Sequence, residues 1–247
     1  MKYTRGDTIV GFEKLWFLQK RHAARYASLP SDISPKSSED LRKLAVKPII
    51  KHLDLFPRDQ LLYHRTRARW KDYIYDIVRA DAQNYTNPSE FVIRNAYFFE
   101  APKPEHLIAT IHSFKLRNVP RGVTTDLSAA KILLFFDSFS DIPESDWNTD
   151  ELKSWTKSII EQASIGSINE LKYVQKWTQE LETVMKNAWG KLVHQYIRWA
   201  MVAGMPGPDS SETMRILGKE ESIRRLDLAR DVMINKAENE GFGSLDG

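Results

Sequence analysis

Residues 190–208 read GKLVHQYIRWAMVAGMPGP, and the chain continues with ILGKEE at 216–221 and RRL at 224–226. The first stretch reads as a helix carrying one arginine, Arg198. A Gly/Pro-rich bend through Gly204, Gly207 and Pro208 follows, then a short helix, and Gly218 is placed as a stop before Lys219 begins the last helix. Asp209 and Glu212 have the cap-x-x-Glu spacing that satisfies free N–H groups at a helix start. Such a bend exposes backbone N–H and C=O groups and can set an arginine against a base edge. A plain helix–helix connection would read the same way.

Outward from this segment the helical period continues. Phe12, Leu15, Trp16, Phe17 and Leu18 open an apolar face that closes near Tyr26, and Leu29-Pro30 ends that helix. Ser37 to Asp40 offer a cap and first-turn acids for Leu41, Leu44, Ile49, Ile50 and Leu53. Pro57 opens a third helix through Leu61, Leu62, Trp70, Ile74, Ile77 and Val78. Pro88-Ser89-Glu90 start a fourth that ends in Tyr97-Phe98-Phe99. Ile132 to Phe136 are apolar all round, as in a buried helix, and Asn148 with Glu151 repeats the cap spacing. Val119 to Thr125 is the only β-rich stretch. The expected class is all-α, divided at Ala101-Pro102-Lys103-Pro104, with residues 238–247 a frayed tail.

Composition narrows the chemistry. The 247 residues are 42% hydrophobic and 28% charged, ordinary for a globular protein of one or two domains. A net charge of +3 permits nucleic acid without requiring it. With no cysteine, disulfides, thiol catalysis and thiolate zinc are excluded. The nearest histidines, His106 and His112, do not form an HxxxH-type pair, so no metal site is assigned. No membrane-spanning run occurs. The basic residues near the N-terminus resemble a presequence, but Asp7 and Glu13 interrupt them. GxGxxG, GxxxxGK[ST] and GxSxG are all missing, and acid pairs such as Glu220-Glu221 read as solvated helix starts. No catalytic residue is assigned.

Two segments mix cations with rings: Trp16 to Tyr26, with Lys20, Arg21 and Arg25, and Tyr63 to Lys71, with Arg65, Arg67 and Arg69. Cations neutralise phosphates, and flat rings stack on unpaired bases. Alternation at every second position spreads the second set around a helix, so solvated faces with core aromatics are the competing reading.

The segment from Gly190 to Leu226 resembles the C-terminal signature of bacterial-type glutamyl-tRNA synthetases: Gly-Lys-Leu, Leu-Arg-x-Ala-Leu-Thr-Gly, a Gly-Pro loop, then Leu-Gly-Lys-Glu and Arg-Leu. Arg198 falls on the family arginine and Gly207-Pro208 on the loop dipeptide, while Val202-Ala203 replace Thr-Gly. Lys14 to Gln19 are similar to the family's Lys-Leu-x-Trp-x-Asn, Glu90 to Phe99 to its Glu-Phe…Tyr-x-Phe run, and Trp147 with Leu152 to a later helix opening.

The resemblance implies a class I synthetase-type anticodon-binding cage of two helical subdomains. Residues 1–28 would end the stem-contact region, 29–100 would form the first subdomain and 101–237 the second. It implies tRNA(Glu) as partner, with tRNA(Gln) also accepted, a monomer, and the mitochondrial matrix, or else the cytoplasm, as compartment. ATP and Mg²⁺ would belong to a catalytic domain outside this chain, which alone would not activate glutamate. Arg198 would lie near the middle anticodon base, with Gly207, Pro208 and Ser210 beside it. Asn84 would stand where members strict for glutamate tRNA place an arginine against the third base. Lys20, Arg21, Arg65, Arg67 and Arg69 would hold phosphates. A helical protein–protein scaffold built on the aromatic and arginine residues is the alternative from another class.

Overall fold

Proline decides where several helices begin, because its ring presets φ and its missing N–H is one that a first helical turn leaves unbonded anyway. In the computed structural model, which describes residues 12–29, 34–55, 67–111, 114–121, 123, 137–169 and 179–242, helix α1 spans Phe12–Ala27. Helices α2 (Pro35–Leu41), α5 (Pro88–Arg94) and α6 (Pro104–Thr110) each carry proline in their first turn. The start of α2 therefore falls at Ser34-Pro35, earlier than the Ser37–Asp40 cap expected. Ser34 makes no side-chain cap bond; its hydroxyl donates to that of Ser37 at 2.8 Å.

From Pro35 to Leu53 the chain is helical almost without a break, with a five-residue π-turn at Arg42–Val46 between α2 and α3 (Lys47–Leu53). Pro48 explains it. Inside a helix, proline cannot donate to the carbonyl four residues back and its ring crowds that oxygen, and local widening to π geometry absorbs the misfit. The carbonyl in question, that of Leu44, instead accepts the Tyr85 hydroxyl at 3.1 Å.

The chain divides after Ala101 into two units. In the first, α1, α2, α3, α4 (Arg67–Asp81), α5 and two short 3-10 turns at Ala82–Asn84 and Ala96–Phe98 surround a core of Leu41, Ile49, Ile74, Ile77, Phe91 and Phe98, all fully buried. The aromatic knot expected to end the fourth helix lies in that second 3-10 turn, since α5 stops at Arg94. Tyr73 donates to the Phe98 carbonyl at 2.8 Å, so a core phenol reaches a polar partner. Helix α1 packs on α2, α4 and the 82–84 turn, burying Ala23 completely. Its first turns do not enter the core: Leu15, Trp16, Phe17 and Leu18, expected to open an apolar face, are 43, 41, 61 and 49% exposed.

The second unit contains α6, α7 (Thr149–Asn169), α8 (Gln179–Val202), α9 (Ser210–Leu217) and α10 (Lys219–Phe242). Both expected caps form: the Asn148 side chain accepts the Glu151 N–H at 3.1 Å, and Asp209 accepts that of Glu212 at 2.9 Å. Gly218 ends α9 with φ +84°, a conformation that disfavours any side chain. Three buried tryptophans tie the helices together through their indole N–H groups. Trp147 donates to the Met214 carbonyl, Trp189 to the Ser167 hydroxyl and Trp199 to the Leu107 carbonyl, at 3.0, 3.0 and 3.2 Å. Helix α10 runs through Phe242, so its last turns occupy part of the stretch expected to be a frayed tail.

Among the described residues no extended strand occurs; of the β-rich stretch 119–125, residues 119–121 and 123 are described and carry none. The helix expected at Ile132–Phe136 and the start of the one expected from Pro57 lie outside the described residues.

Candidate nucleic-acid interface

The bend that follows α8 is shaped by the helix that precedes it. The inner face of α8 buries Leu192, Val193, Tyr196, Ile197 and Ala200. Its outer face carries Lys191, His194 and Gln195, all exposed, and the half-buried Arg198. Arg198 turns its guanidinium forward onto the bend: one terminal amino group donates to the Pro208 carbonyl at 3.0 Å and the other to the Met205 carbonyl at 2.7 Å. Those carbonyls are held in place by a charge-assisted clamp. Along this bend Gly204, Met205 and Pro206 stand exposed, while Pro208 is buried and Gly207 half-buried.

The sharp reversal occurs at Ala203 and Gly204, with φ of +49° and +78°, and Gly207 is not left-handed. The Ala203 N–H returns to the Trp199 carbonyl at 2.8 Å and the Met205 N–H to that of Val202 at 2.9 Å. A second guanidinium braces the same end of α8 from below. Arg225, fully buried, donates to the Met201 carbonyl and, at 2.6 Å, to the Glu221 carboxylate. Burial pushes the Glu221 carboxyl up, but hydrogen bonds from Arg224 and Arg225 and their charges outweigh it and hold the group below its ordinary value. The arginine noted in sequence only as part of Arg-Arg-Leu is therefore a core strut.

Ser210, first residue of α9, is half-buried beside acids: Asp209 caps the helix, and Glu212 accepts from Thr149 at 2.6 Å and from Arg215 at 2.8 Å. These carboxylates already occupy the electropositive helix start, so Ser210 stands at a poor place for a phosphate.

In the first unit, Lys20 and Arg21 are exposed on α1. The Arg21 guanidinium lies 6.0 Å from the centre of the exposed Phe17 ring. A cation and a ring side by side on an open helix suit an unpaired, stacked nucleotide. Arg67 and Arg69 lie in the first turns of α4, and Lys71, exposed, follows them; Arg65 lies outside the described residues.

Asn84 faces inward. Its amide donates to Asp81 at 2.6 Å, in a knot where the same buried carboxylate accepts from Arg94 at 2.8 Å and Asn95 at 3.1 Å, and Tyr97 donates to the Asn95 carbonyl oxygen at 3.2 Å. Arg94, Asn95 and Asp81 went unremarked in the sequence. The three-residue step from Asp81 to Asn84 was their only signal.

The geometry thus supplies, in one unit, an exposed backbone bend clamped by arginine and, in the other, exposed cations beside an open ring. A family model described as "Anticodon binding domain" matches residues 62–230. The mitochondrial glutamate–tRNA ligase of Schizosaccharomyces pombe is 23% identical over 227 residues, which are 92% of this chain and 34% of that protein. Among solved structures, a glutamate tRNA ligase from Elizabethkingia meningosepticum, crystallised in complex with its amino acid, aligns over 89% of this chain and 32% of its own, at 17% identity and a TM-score of 0.49. The chain spans about a third of the length of either relative.

Proposed function

The chain belongs to the anticodon-binding-domain family, and from that membership we propose that it reads the anticodon loop of a tRNA as the anticodon-gripping part of a glutamate–tRNA ligase. The clamped bend at 203–208 is the observation that carries this reading. A single-stranded loop presents splayed bases whose edges need donors and acceptors held in advance. The bend offers exposed backbone around Gly204 and Met205, fixed by Arg198 through two carbonyls. Arg198 acts on the RNA through the loop it shapes, with its half-exposed charge nearby. The scaffold alternative draws no support from the family match.

Activation of glutamate, with its ATP and Mg²⁺, is assigned to the part of a ligase that this chain does not span. The expected ligand is tRNA(Glu), with tRNA(Gln) also accepted because Asn84 lacks a charged, two-pronged donor. The chain is taken to act as a monomer and, by analogy with its relative from fission yeast mitochondria, in the mitochondrial matrix. Among the described residues no helix is long and apolar enough to cross a membrane.

Fluorescence anisotropy with glutamate and glutamine anticodon stem-loops tests both levels. Both RNAs should bind, with affinities within about tenfold, or 1.4 kcal/mol, of each other. Arg198→Lys keeps the charge but cannot span two carbonyls, and should weaken both at least fivefold. Unchanged binding in Arg198→Lys would remove the bend from the interface, and absence of binding to either loop would end the reading.

A further inference from the structure

Resting on the anticodon-binding reading, we propose that Arg94 is an RNA-backbone contact in the first unit, aimed at a phosphate by the buried carboxylate of Asp81. Asp81 has a side chain only 3% exposed, and three side-chain donors converge on it: Arg94, Asn84 and Asn95. Only Arg94 brings a charge. It is held by Nε, at 2.8 Å, the guanidinium nitrogen nearest its own backbone. That choice matters. Clipped there, a guanidinium has its flat edge of two terminal amino groups projecting beyond the carboxylate. Among the described residues nothing else pairs with that edge, and the Arg94 side chain is 32% exposed against the near-complete burial of its partner.

For a purely structural ion pair, two parallel bonds to the carboxylate would be the stronger arrangement. Here the second carboxylate oxygen accepts from Asn84 at 2.6 Å, and Arg94 keeps a one-point grip through Nε on the first. Asn95 locks the other side, donating both to Asp81 and to the Phe91 carbonyl at 3.1 Å, and Tyr97 steadies Asn95. The outcome is an arginine whose direction is set from below and whose free edge matches two oxygens of a phosphodiester. Glu90, one helical turn before Arg94, is exposed and makes no ion pair with it. Asp81 is thus a positioning residue, itself held by Asn84 and Asn95.

The test pairs two variants of the full chain with anticodon stem-loops of several loop sequences. Asp81→Asn/Arg94→Gln removes both charges together and so leaves no uncompensated buried carboxylate. With an unchanged melting temperature, it should bind about tenfold more weakly, equally for every loop sequence. The slope of log affinity against log salt should shrink by about 0.7, the signature of one lost single-strand phosphate. Binding within twofold of wild type, or a loss confined to one base identity, would overturn the phosphate assignment. If the double variant does not fold, Arg94→Lys decides: it retains a cation next to Asp81 but no planar edge. It should bind at least threefold more weakly at unchanged salt slope, and unchanged affinity would overturn the proposal. A wild-type chain that retains no stem-loop defeats the anticodon reading itself, whereas a binding wild type with indifferent variants defeats only the role of Arg94.

Discussion

Ala203 sits at φ +49°, a conformation that presses a Cβ against its own carbonyl and carries a penalty of about 1–2 kcal/mol in L-residues. It is the position where the synthetase signature has glycine. Replacing Ala203 with glycine relieves that penalty but restores unfolded-state freedom of about 0.4–1 kcal/mol. Ala203→Gly should therefore stabilise the second unit by about 0.5 kcal/mol, read as a higher denaturant midpoint at unchanged m-value. Asn84 marks the limit of residue-level reading. Its identity, and the missing charge, were plain in the sequence. Its direction was not, because a 3-10 turn at Ala82–Asn84 breaks the register of α4 and swings the amide onto Asp81. Arg198 was similarly visible as a residue, but the Met205 and Pro208 carbonyls it grips depend on a reversal four residues earlier than the Gly207-Pro208 dipeptide suggested.

Helix ends were legible where a side chain or a glycine closes them locally, as at Asn148, Asp209 and Gly218, since a cap needs only its own turn. The π-turn at Arg42–Val46 was not, because Pro48 is tolerated there only with help from Tyr85, far along the chain. That hydroxyl answers the Leu44 carbonyl that proline leaves unbonded, and burial pushes the Tyr85 phenol up to about 12. Tyr85→Phe should lower stability by about 1–2 kcal/mol with little change in shape, since it removes only the donor; thermal melts against wild type measure it. Within α10 the Glu221–Arg225 pair, whose arginine also reaches α8, carries a pH signature. The folded Glu221 pKa lies below its ordinary 4.5, so the pair's stabilisation is complete above that value and disappears as pH falls through the lowered one. Glu221→Gln strands the buried Arg225 charge and should cost about 3 kcal/mol at neutral pH. The variant's stability should then depend less on acid below pH 4.5 than the wild type's. An equal acid slope in both would assign the acid sensitivity to other carboxylates.

The molecule as a whole is only mildly basic, at +3, so any RNA affinity must come from where the cations stand, with Lys20, Arg21, Lys71 and Lys191 all exposed. If three or more single-strand phosphates are neutralised, the association constant for an anticodon stem-loop should fall about tenfold or more between 50 and 200 mM salt. A flat response would point to an aromatic, protein-like mode of contact. The open first turns of α1 have a separate outcome for anyone handling the purified chain. Leu15, Trp16, Phe17 and Leu18 follow one another at about 100° intervals around the axis, so greasy side chains radiate to every compass point of a single coil. Water gains nothing by wetting them, and the preparation will cling to phenyl resin, brighten polarity-sensitive dyes and cloud on concentration, with Phe17 the first residue to exchange for serine to keep it clear.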